Sequence, residues 1–469
     1  MISAENTSAE NTSANIDKRH RKLAVFRTRH AQVPGNRAIA ARLAELLMQE
    51  GRQAEALTVC AATAALPLPD GTTAADQALL AVAWGNTALE LDQVELAADR
   101  YGEAVALCPQ EPRWHNNLAN ALRQLPDLAA AQAHYRTALD LDPSYQRARF
   151  SLGCLQLAQG QTRAGWDGYE ARLLLHGAPL PAVLTGWDGS PDQRSLVLHA
   201  EQGLGDTLMF CRFAALAARR LSGEGTGAAG PQGRVVLRAP ARLCRLLRTV
   251  PGLAAVVPDT APFERDALQL PLGSLAQRLG IETAQLCPRV PYIGVEPDRR
   301  ARWARALPPA AVRVGVIWQG SPNRAAEPGR SYPLSALAPL AAISGVRLLA
   351  LQHVDGLEQW DPAMALEQPP TPIDQDDGFV DTAALMSLCD LIITPDTATA
   401  HLAGALGRPV WIGLKRAPDW RWGLDDEHSP WYPTARLVRQ PTRGNWTSVM
   451  ARMATDLAAL VPATRTPAP

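Results

Sequence analysis

The chain has 469 residues, 47% of them hydrophobic, and its Lys+Arg and Asp+Glu counts balance at 46 each. That length accommodates roughly two to four domains with real cores, and the balance excludes a global field favouring nucleic acid or an acidic membrane. The seven cysteines are scattered with no Cys-x-x-Cys spacing, so neither a disulfide framework nor a zinc site is expected, and a reducing cytoplasm fits. No run reaches the ~18–20 apolar residues of a membrane span. The N-terminus carries two near-copies of Ser-Ala-Glu-Asn-Thr and lacks the apolar core of a secretory signal. Residues 1–37 are predicted as a disordered, basic segment, with Lys18-Arg19-His20-Arg21-Lys22 as a solvated helix start.

Residues 38–178 are rich in Ala and Leu and repeat. Trp84-Gly85, Leu118-Ala119 and Leu152-Gly153 recur at 34 residues, as do Ala97, Ala131 and Gly165, then Tyr101, Tyr135 and Tyr169, then Pro109 and Pro143. That pattern resembles the tetratricopeptide repeat. The small residues let two helices approach, the aromatic fills the space between hairpins, and the proline opens the next unit. A looser copy fits Leu43-Ala44, Gly51, Ala56 and Cys60, offset by seven residues that the loop at 66–71 absorbs. Such stacks form a concave groove that holds peptide or protein. Asn116, Asn117, Asn120 and Arg123 share one helix at groove-facing spacings. They are either acceptor-binding residues or a solvated helix face.

From Gly186 the pattern becomes alternating strands and helices. Strands are predicted at 195–199, 234–238, 254–257 and 268–270, and helices at 207–220, 241–249 and 273–279. A glycine-containing loop covers 223–233, and a proline-bearing linker at 287–297 leads into a charged helix at 298–306. A second set follows at 312–318, 334–342, 347–351, 381–389, 391–394, 397–406 and 410–414, closed by a helix from Trp446 to Val461. Alternation of this kind means parallel sheets with right-handed crossovers. The fold class is therefore an α-solenoid followed by two Rossmann-like α/β lobes, 186–296 and 297–462, with a tail at 463–469.

Four motifs carry chemistry. Gly203-Leu204-Gly205-Asp206 follows Leu196-Val197-Leu198 and opens a helix, a unit that brings backbone N–H groups to an anion. It is not a dinucleotide fingerprint, since Leu208 stands where a third glycine belongs. Asp206 is either a favoured helix cap or a general base projecting into a cleft. His199 and Glu201 at the same strand end are weaker candidates. Gly320-Ser321 ends a strand in a turn suited to phosphate, with Arg324 and Arg330 placed to neutralise it. Asp396 and Thr397 are predicted to cap a helix aimed at a diphosphate, with His401 one turn in. Trp420-Arg421-Trp422 and Trp431-Tyr432 form either a wall for a sugar or base, or a satellite core.

Together, Glu201-Gln202-Gly203-Leu204-Gly205-Asp206, the Gly-Ser-Pro-Asn turn, Asp396-Thr397-Ala398-Thr399-Ala400-His401 and the tryptophan-rich tail resemble bacterial tetratricopeptide-repeat glycosyltransferases. The catalytic half of these is a GT-B pair similar to the heptosyltransferase family. The layout is also similar to the O-linked N-acetylglucosamine transferases and to the flagellin glycosyltransferase class, where the repeats bind flagellin and the GT-B part transfers a nonulosonic acid. The resemblance implies Asp206 as the base, and Asp396, Thr397 and His401 as donor contacts. Ala398 replaces the family's usual glycine, and Arg330 stands near the position of its lysine.

The implied reaction is an inverting, metal-independent transfer from a nucleotide-sugar to a protein hydroxyl. Gly203, Gly205, Gly320, Ser321, Arg324 and Arg330 line the donor site, and no further cofactor or metal is expected. A lipopolysaccharide or cell-surface glycan acceptor, and a non-catalytic repeat adaptor on a degenerate scaffold, are the alternatives. No nucleic-acid partner and no membrane span are expected.

Overall fold

The computed structural model describes residues 3–125, 127–175, 186–223, 234–262, 264, 266–286, 290–321, 329–375 and 377–461, with side chains from residue 18 onward. It forms two compact units, Met1–Leu152 and Gly153–Pro469. The division falls inside a helix rather than at residue 178, where the repeat pattern ends.

In the first unit, α1 (Ser3–Gln32) is followed by α2 (Arg37–Gln49), α3 (Gln53–Ala64), α4 (Ala74–Glu90), α5 (Val94–Leu107), α6 (Pro112–Gln124) and α7 (Leu128–Leu141). The segment 3–32, which its polar composition assigns to disorder, is helical. Phe26 and Leu23 explain its anchoring, because both join the cluster built on Leu43, Leu46 and Leu47. Asn36 caps α2 by accepting from the Ile39 N–H at 2.9 Å, and Thr73 and Asp76 form a reciprocal capping box on α4. The repeat positions act as their residue types dictate. A Cβ at Gly85 would stand 2.6 Å from the Tyr101 ring, so only glycine admits the aromatic there.

In the second unit, α8 (Gln146–Ala158, shared with the first), α9 (Thr162–Tyr169) and α10 (Arg172–Leu175) lead into two parallel sheets. The first lobe carries β1 (Leu196–His199), β2 (Val235–Ala239), β3 (Ala255–Pro258) and β4 (Leu268–Pro271). Among the described residues these pair in the order β3-β2-β1-β4. Between the strands lie α11 (Leu204–Phe210), α12 (Ala214–Leu221), α13 (Cys244–Leu247) and α14 (Leu275–Arg278). The single helix expected over 207–220 is broken by a 3-10 turn, Cys211–Phe213. That turn carries Arg212 inward, where its Nε donates to the Met209 carbonyl at 2.8 Å.

α15 (Pro297–Ala306) leads to the second lobe, with β5 (Val312–Val316), α16 (Ala338–Ala341), β6 (Val346–Ala350), β7 (Leu366–Glu367), α17 (Val380–Met386), β8 (Leu391–Pro395), α18 (Ala398–Ala405), β9 (Val410–Leu414), β10 (Ala435–Arg439) and α19 (Trp446–Leu460). The order is β10-β9-β8-β5-β6-β7. β1, β8 and β9 are buried along their whole length, as parallel strands covered on both faces must be. The repeats followed by two parallel α/β lobes are the predicted fold class. β7 and β10 were not predicted, since β7 is two residues long and β10 is interrupted by Arg436 and Arg439.

Candidate functional site

Each sheet has one place where the chain leaves its central strand in opposite directions, and such a switch point opens a crevice at the strand ends. In the first lobe it lies between β1 and β4, in the second between β5 and β8. The sequence places Glu201–Asp206 after β1, and Gly320 and Asp396–Thr397 after β5 and β8. The topology thus gathers three of the four motifs at crevices.

The first crevice is filled by the chain itself. Arg172, 1% exposed, donates to Glu201 Oε1 at 2.8 Å, Glu170 Oε1 at 2.6 Å and Ser274 Oγ at 2.9 Å. A Cβ at Gly273 would collide with both Glu201 and Arg172. Burial raises the Glu201 carboxyl above its ordinary value, against the pull of Arg172. His199 is likewise structural: it is buried and hydrogen-bonded to Gln269 Oε1 at 2.6 Å. Neither is presented to a ligand.

Asp206 sits at the third position of α11, not at its cap. Gly203 occupies the cap, and its N–H donates to Asp206 Oδ2 at 3.1 Å. The other oxygen, Oδ1, accepts from the guanidinium of Arg421. Arg421 also donates to Asp419 Oδ1 at 2.6 Å and to the Tyr169 hydroxyl at 3.4 Å. Burial opposes the charge on Arg421, and the carboxylates of Asp206 and Asp419 outweigh it. The Tyr169 hydroxyl donates to Gln202 Oε1 at 2.6 Å.

The start of α11 lies against the start of α18. A Cβ at Gly205 would stand 2.8 Å from His401 Cδ2 and 3.4 Å from Ala398 Cα, so glycine is what allows the approach. His401 is stacked on Trp422 (ring centroids 5.1 Å apart, 20° between planes), and its Nδ1 pairs with the Tyr432 hydroxyl at 2.8 Å. Burial, then the charges of Arg421 and Arg212, press its pKa down to about 3. His401 is therefore a neutral, packed residue that helps place α18.

Thr397 occupies the cap position of α18 but makes no side-chain cap bond. Its hydroxyl pairs with Thr399 at 2.6 Å, and Thr399 pairs with Thr394 at 2.7 Å. The expected side-chain cap is replaced by a threonine chain at the mouth of β8. Gly320 lies beside this helix start: a Cβ there would meet Thr397 Cγ2 at 2.7 Å and the Arg330 guanidinium at 3.2 Å. Gly320 N–H donates to Ser331 Oγ at 3.1 Å, and Ser321 is exposed. Arg330 and Thr397 thus both lie against Gly320 at one turn. Arg324, part of the same expectation, lies outside the described residues, as does most of the 223–233 loop.

The tryptophans form a core rather than an open wall. Trp420, Trp422, Trp431 and Tyr432 are all buried. Trp166 packs edge-on against Tyr169, Phe210, Trp420 and Trp431. Arg212 binds the Leu286 and Trp431 carbonyls at 2.7 and 2.8 Å and the Tyr292 hydroxyl at 2.8 Å. The sequence marks Arg421 only as part of the tryptophan-rich tail and Tyr169 only as a packing aromatic of the repeats. The signals were present: Asp419 two residues before Arg421, and a tyrosine whose repeat partner changes.

In the first unit, Asn116 is 3% exposed, and its Oδ1 has no hydrogen-bond partner among the described residues. Asn120 Oδ1 accepts from Tyr135 at 2.7 Å, the same bond that Asn86 makes with Tyr101. Asn117 and Arg123 are half-buried. The open polar face expected for these four is in large part internal packing.

Residues 82–145 and 119–162 match the tetratricopeptide repeat, and residues 378–423 match glycosyltransferase family 9 (heptosyltransferase). Protein FlbA of Caulobacter vibrioides is 28% identical over 413 residues, covering 80% of this chain and 67% of its own length. The small glutamine-rich tetratricopeptide repeat-containing protein 2 of Saccharomyces cerevisiae is 31% identical over 93 residues, 20% of this chain and 27% of that protein. Among solved structures, the E. coli ADP-heptose LPS heptosyltransferase II aligns with a TM-score of 0.40 at 14% identity, over 57% of this chain and 98% of that one.

Proposed function

From a chain that carries tetratricopeptide repeats and a glycosyltransferase family 9 (heptosyltransferase) domain, we propose an enzyme that transfers a sugar from a nucleotide-sugar to a hydroxyl of a protein held by its repeats. The observation that carries this reading is the apposition of two helix starts, Gly205 of α11 against Ala398 and His401 of α18. It brings a carboxylate, Asp206, close to a backbone N–H cluster suited to a diphosphate. Asp206 takes the proton of the acceptor hydroxyl as its oxygen bonds to the anomeric carbon. The nucleotide phosphate leaves toward the start of α18 and Arg330, which stabilise its charge without a metal. The product is inverted. A flagellin-type surface protein is the first acceptor to test, and a lipid-linked or lipopolysaccharide glycan the second.

One observation favours a second reading, a repeat adaptor on a transferase scaffold: both Asp206 oxygens are already engaged, by Gly203 and Arg421. A thermal-shift screen with UDP, GDP, ADP, CMP and their sugars separates the two, since a ligand of the native state raises the melting temperature by mass action. A shift with one nucleotide class, followed by its release from the corresponding sugar, supports the transferase. No shift with any of them moves the assignment to the adaptor.

A further inference from the structure

The repeats contain a recurring hydrogen bond that changes partner in the last copy. Tyr101 donates to Asn86 Oδ1 at 2.7 Å, and Tyr135 donates to Asn120 Oδ1 at 2.7 Å. Donor and acceptor both advance by 34 residues. One more step gives Tyr169 and Cys154, so the amide acceptor is replaced by a thiol, a weak acceptor at best. Tyr169 sends its hydroxyl instead to Gln202 Oε1 at 2.6 Å, in the turn between β1 and α11. The same oxygen accepts from Arg421 at 3.4 Å, and Arg421 holds Asp206.

Packing fixes this redirected ring. Tyr169 is 1% exposed and stands edge-on to Trp166 at 5.9 Å and to Trp420 at 5.4 Å. The backbone behind it leaves no slack, because a Cβ at Gly153 would stand 2.7 Å from Tyr169 N. A phenol has two rotatable bonds, so little freedom is lost in holding it. One buried hydroxyl thereby touches the turn that precedes Asp206 and the arginine that pairs with it.

We infer that Tyr169 is a positioning residue for glycosyl transfer: the last repeat's tyrosine, released from its repeat-internal amide, fixes the Gln202 turn and the Arg421 guanidinium on either side of Asp206. This rests on the transferase reading above. It also predicts a division of labour among three equivalent tyrosines. Tyr101 and Tyr135 hold their own hairpins, and Tyr169 holds the site.

The test uses the full chain and three variants, Tyr169→Phe, Cys154→Asn and the repeat-internal control Tyr135→Phe. Cys154→Asn restores the acceptor that the register provides at Asn86 and Asn120, and so competes for the Tyr169 hydroxyl. The first readout is amide hydrogen exchange of residues 200–207, which needs no substrate. Tyr169→Phe and Cys154→Asn are expected to speed exchange there by about tenfold, and Tyr135→Phe to leave it unchanged. The second is nucleotide release from UDP-, GDP-, ADP- and CMP-sugars, with water as the acceptor of the sugar. Tyr169→Phe and Cys154→Asn are expected to lower kcat by about tenfold or more with KM within about twofold, the signature of lost transition-state geometry rather than lost binding. Wild-type exchange at 200–207 in either variant overturns the inference. So does a wild-type kcat in Tyr169→Phe. A wild-type protein whose melting temperature is shifted by none of these nucleotides or sugars sinks the transferase reading instead, and the exchange result then stands as the independent measure of the turn's attachment.

Discussion

Arg421 closes on Asp206 across 215 residues of sequence, joining the tryptophan-rich tail of the second lobe to the first helix of the first lobe. The pair is largely shielded: the arginine side chain is 12% exposed and the aspartate 22%. It is one corner of a larger polar arrangement that includes Asp419, Tyr169 and Gln202. The carboxylate proposed as the base is therefore held in place before any substrate arrives, which is what pre-organised catalysis requires.

Asp206→Asn tests that role directly. Asparagine keeps an oxygen for the Gly203 N–H but carries no charge and accepts a proton poorly. Nucleotide-sugar turnover is expected to fall by about a hundredfold or more, the scale of a lost general base. Stability is expected to fall by only about 1–3 kcal/mol, since Arg421 keeps Asp419. Full transfer activity in a folded Asp206→Asn protein would remove the base assignment.

His401 predicts an acid-side instability with a definite sign. Its pKa is held at about 3 in the native protein, by burial first and then by Arg421 and Arg212. Unfolded histidine takes its proton near pH ~6.5. Between those values the unfolded state binds one more proton, so stability falls as pH drops through that window and is unaffected above it. The slope from one proton is about 1.4 kcal/mol per pH unit. His401→Gln removes the titrating group and keeps an acceptor for Tyr432. Melting temperatures of wild type and variant from about pH 6.5 down to about pH 4.5 should therefore diverge in slope, wild type falling faster. Parallel curves would show that His401 is protonated in the native state.

The glycine positions yield a ranked set. A Cβ at Gly404 would enter the Tyr432 ring at 2.3 Å, and one at Gly205 would meet the His401 ring at 2.8 Å. A Cβ at Gly102, inside α5, would have nothing within 4 Å among the described residues. Gly404→Ala must displace a buried aromatic and is expected to cost more than Gly205→Ala, each about 1–3 kcal/mol or above. Gly102→Ala relieves only helix entropy and should stabilise by about 0.5–1 kcal/mol. Denaturant midpoints of the three variants check the order. A stabilising Gly404→Ala would contradict the packing at Tyr432.

The pattern of what was readable follows from how each signal is encoded. Period and alternation are local, so the hairpins, the strands β1–β6, β8 and β9 and the start of α18 were legible, while α11 starts at Leu204, ahead of the 207 expected. The partners of those helix starts were not. Asp206 reads as a cap or a base from its neighbours alone, while its bond to Arg421 is set by how two lobes meet. His401 reads as a site residue from its motif, and only the ring of Trp422 and the hydroxyl of Tyr432 show it to be packed and neutral. Arg172, the residue that fills the first crevice, carries no motif at all. Its role follows from Glu201 and Ser274, which are 29 and 102 residues away.

Asn116 and Asn120 stand four residues apart on α6 and are expected to respond oppositely to the same substitution. Asn116 Oδ1 is buried without a hydrogen-bond partner among the described residues, so it already bears a desolvation cost that an apolar side chain of similar size would not. Asn120 Oδ1 receives the Tyr135 hydroxyl, so its replacement removes a hydrogen bond from a Tyr135 that is itself 0% exposed. Asn116→Leu should therefore be neutral or stabilising by up to about 1 kcal/mol, and Asn120→Leu destabilising by about 1–3 kcal/mol. Thermal melts of the two variants give the signs. The same pair tests acceptor binding: a groove residue loses acceptor affinity when made apolar even though the fold tolerates the change. An Asn116→Leu protein with unaltered KM for the proposed protein acceptor would place Asn116 in the packing of the repeat.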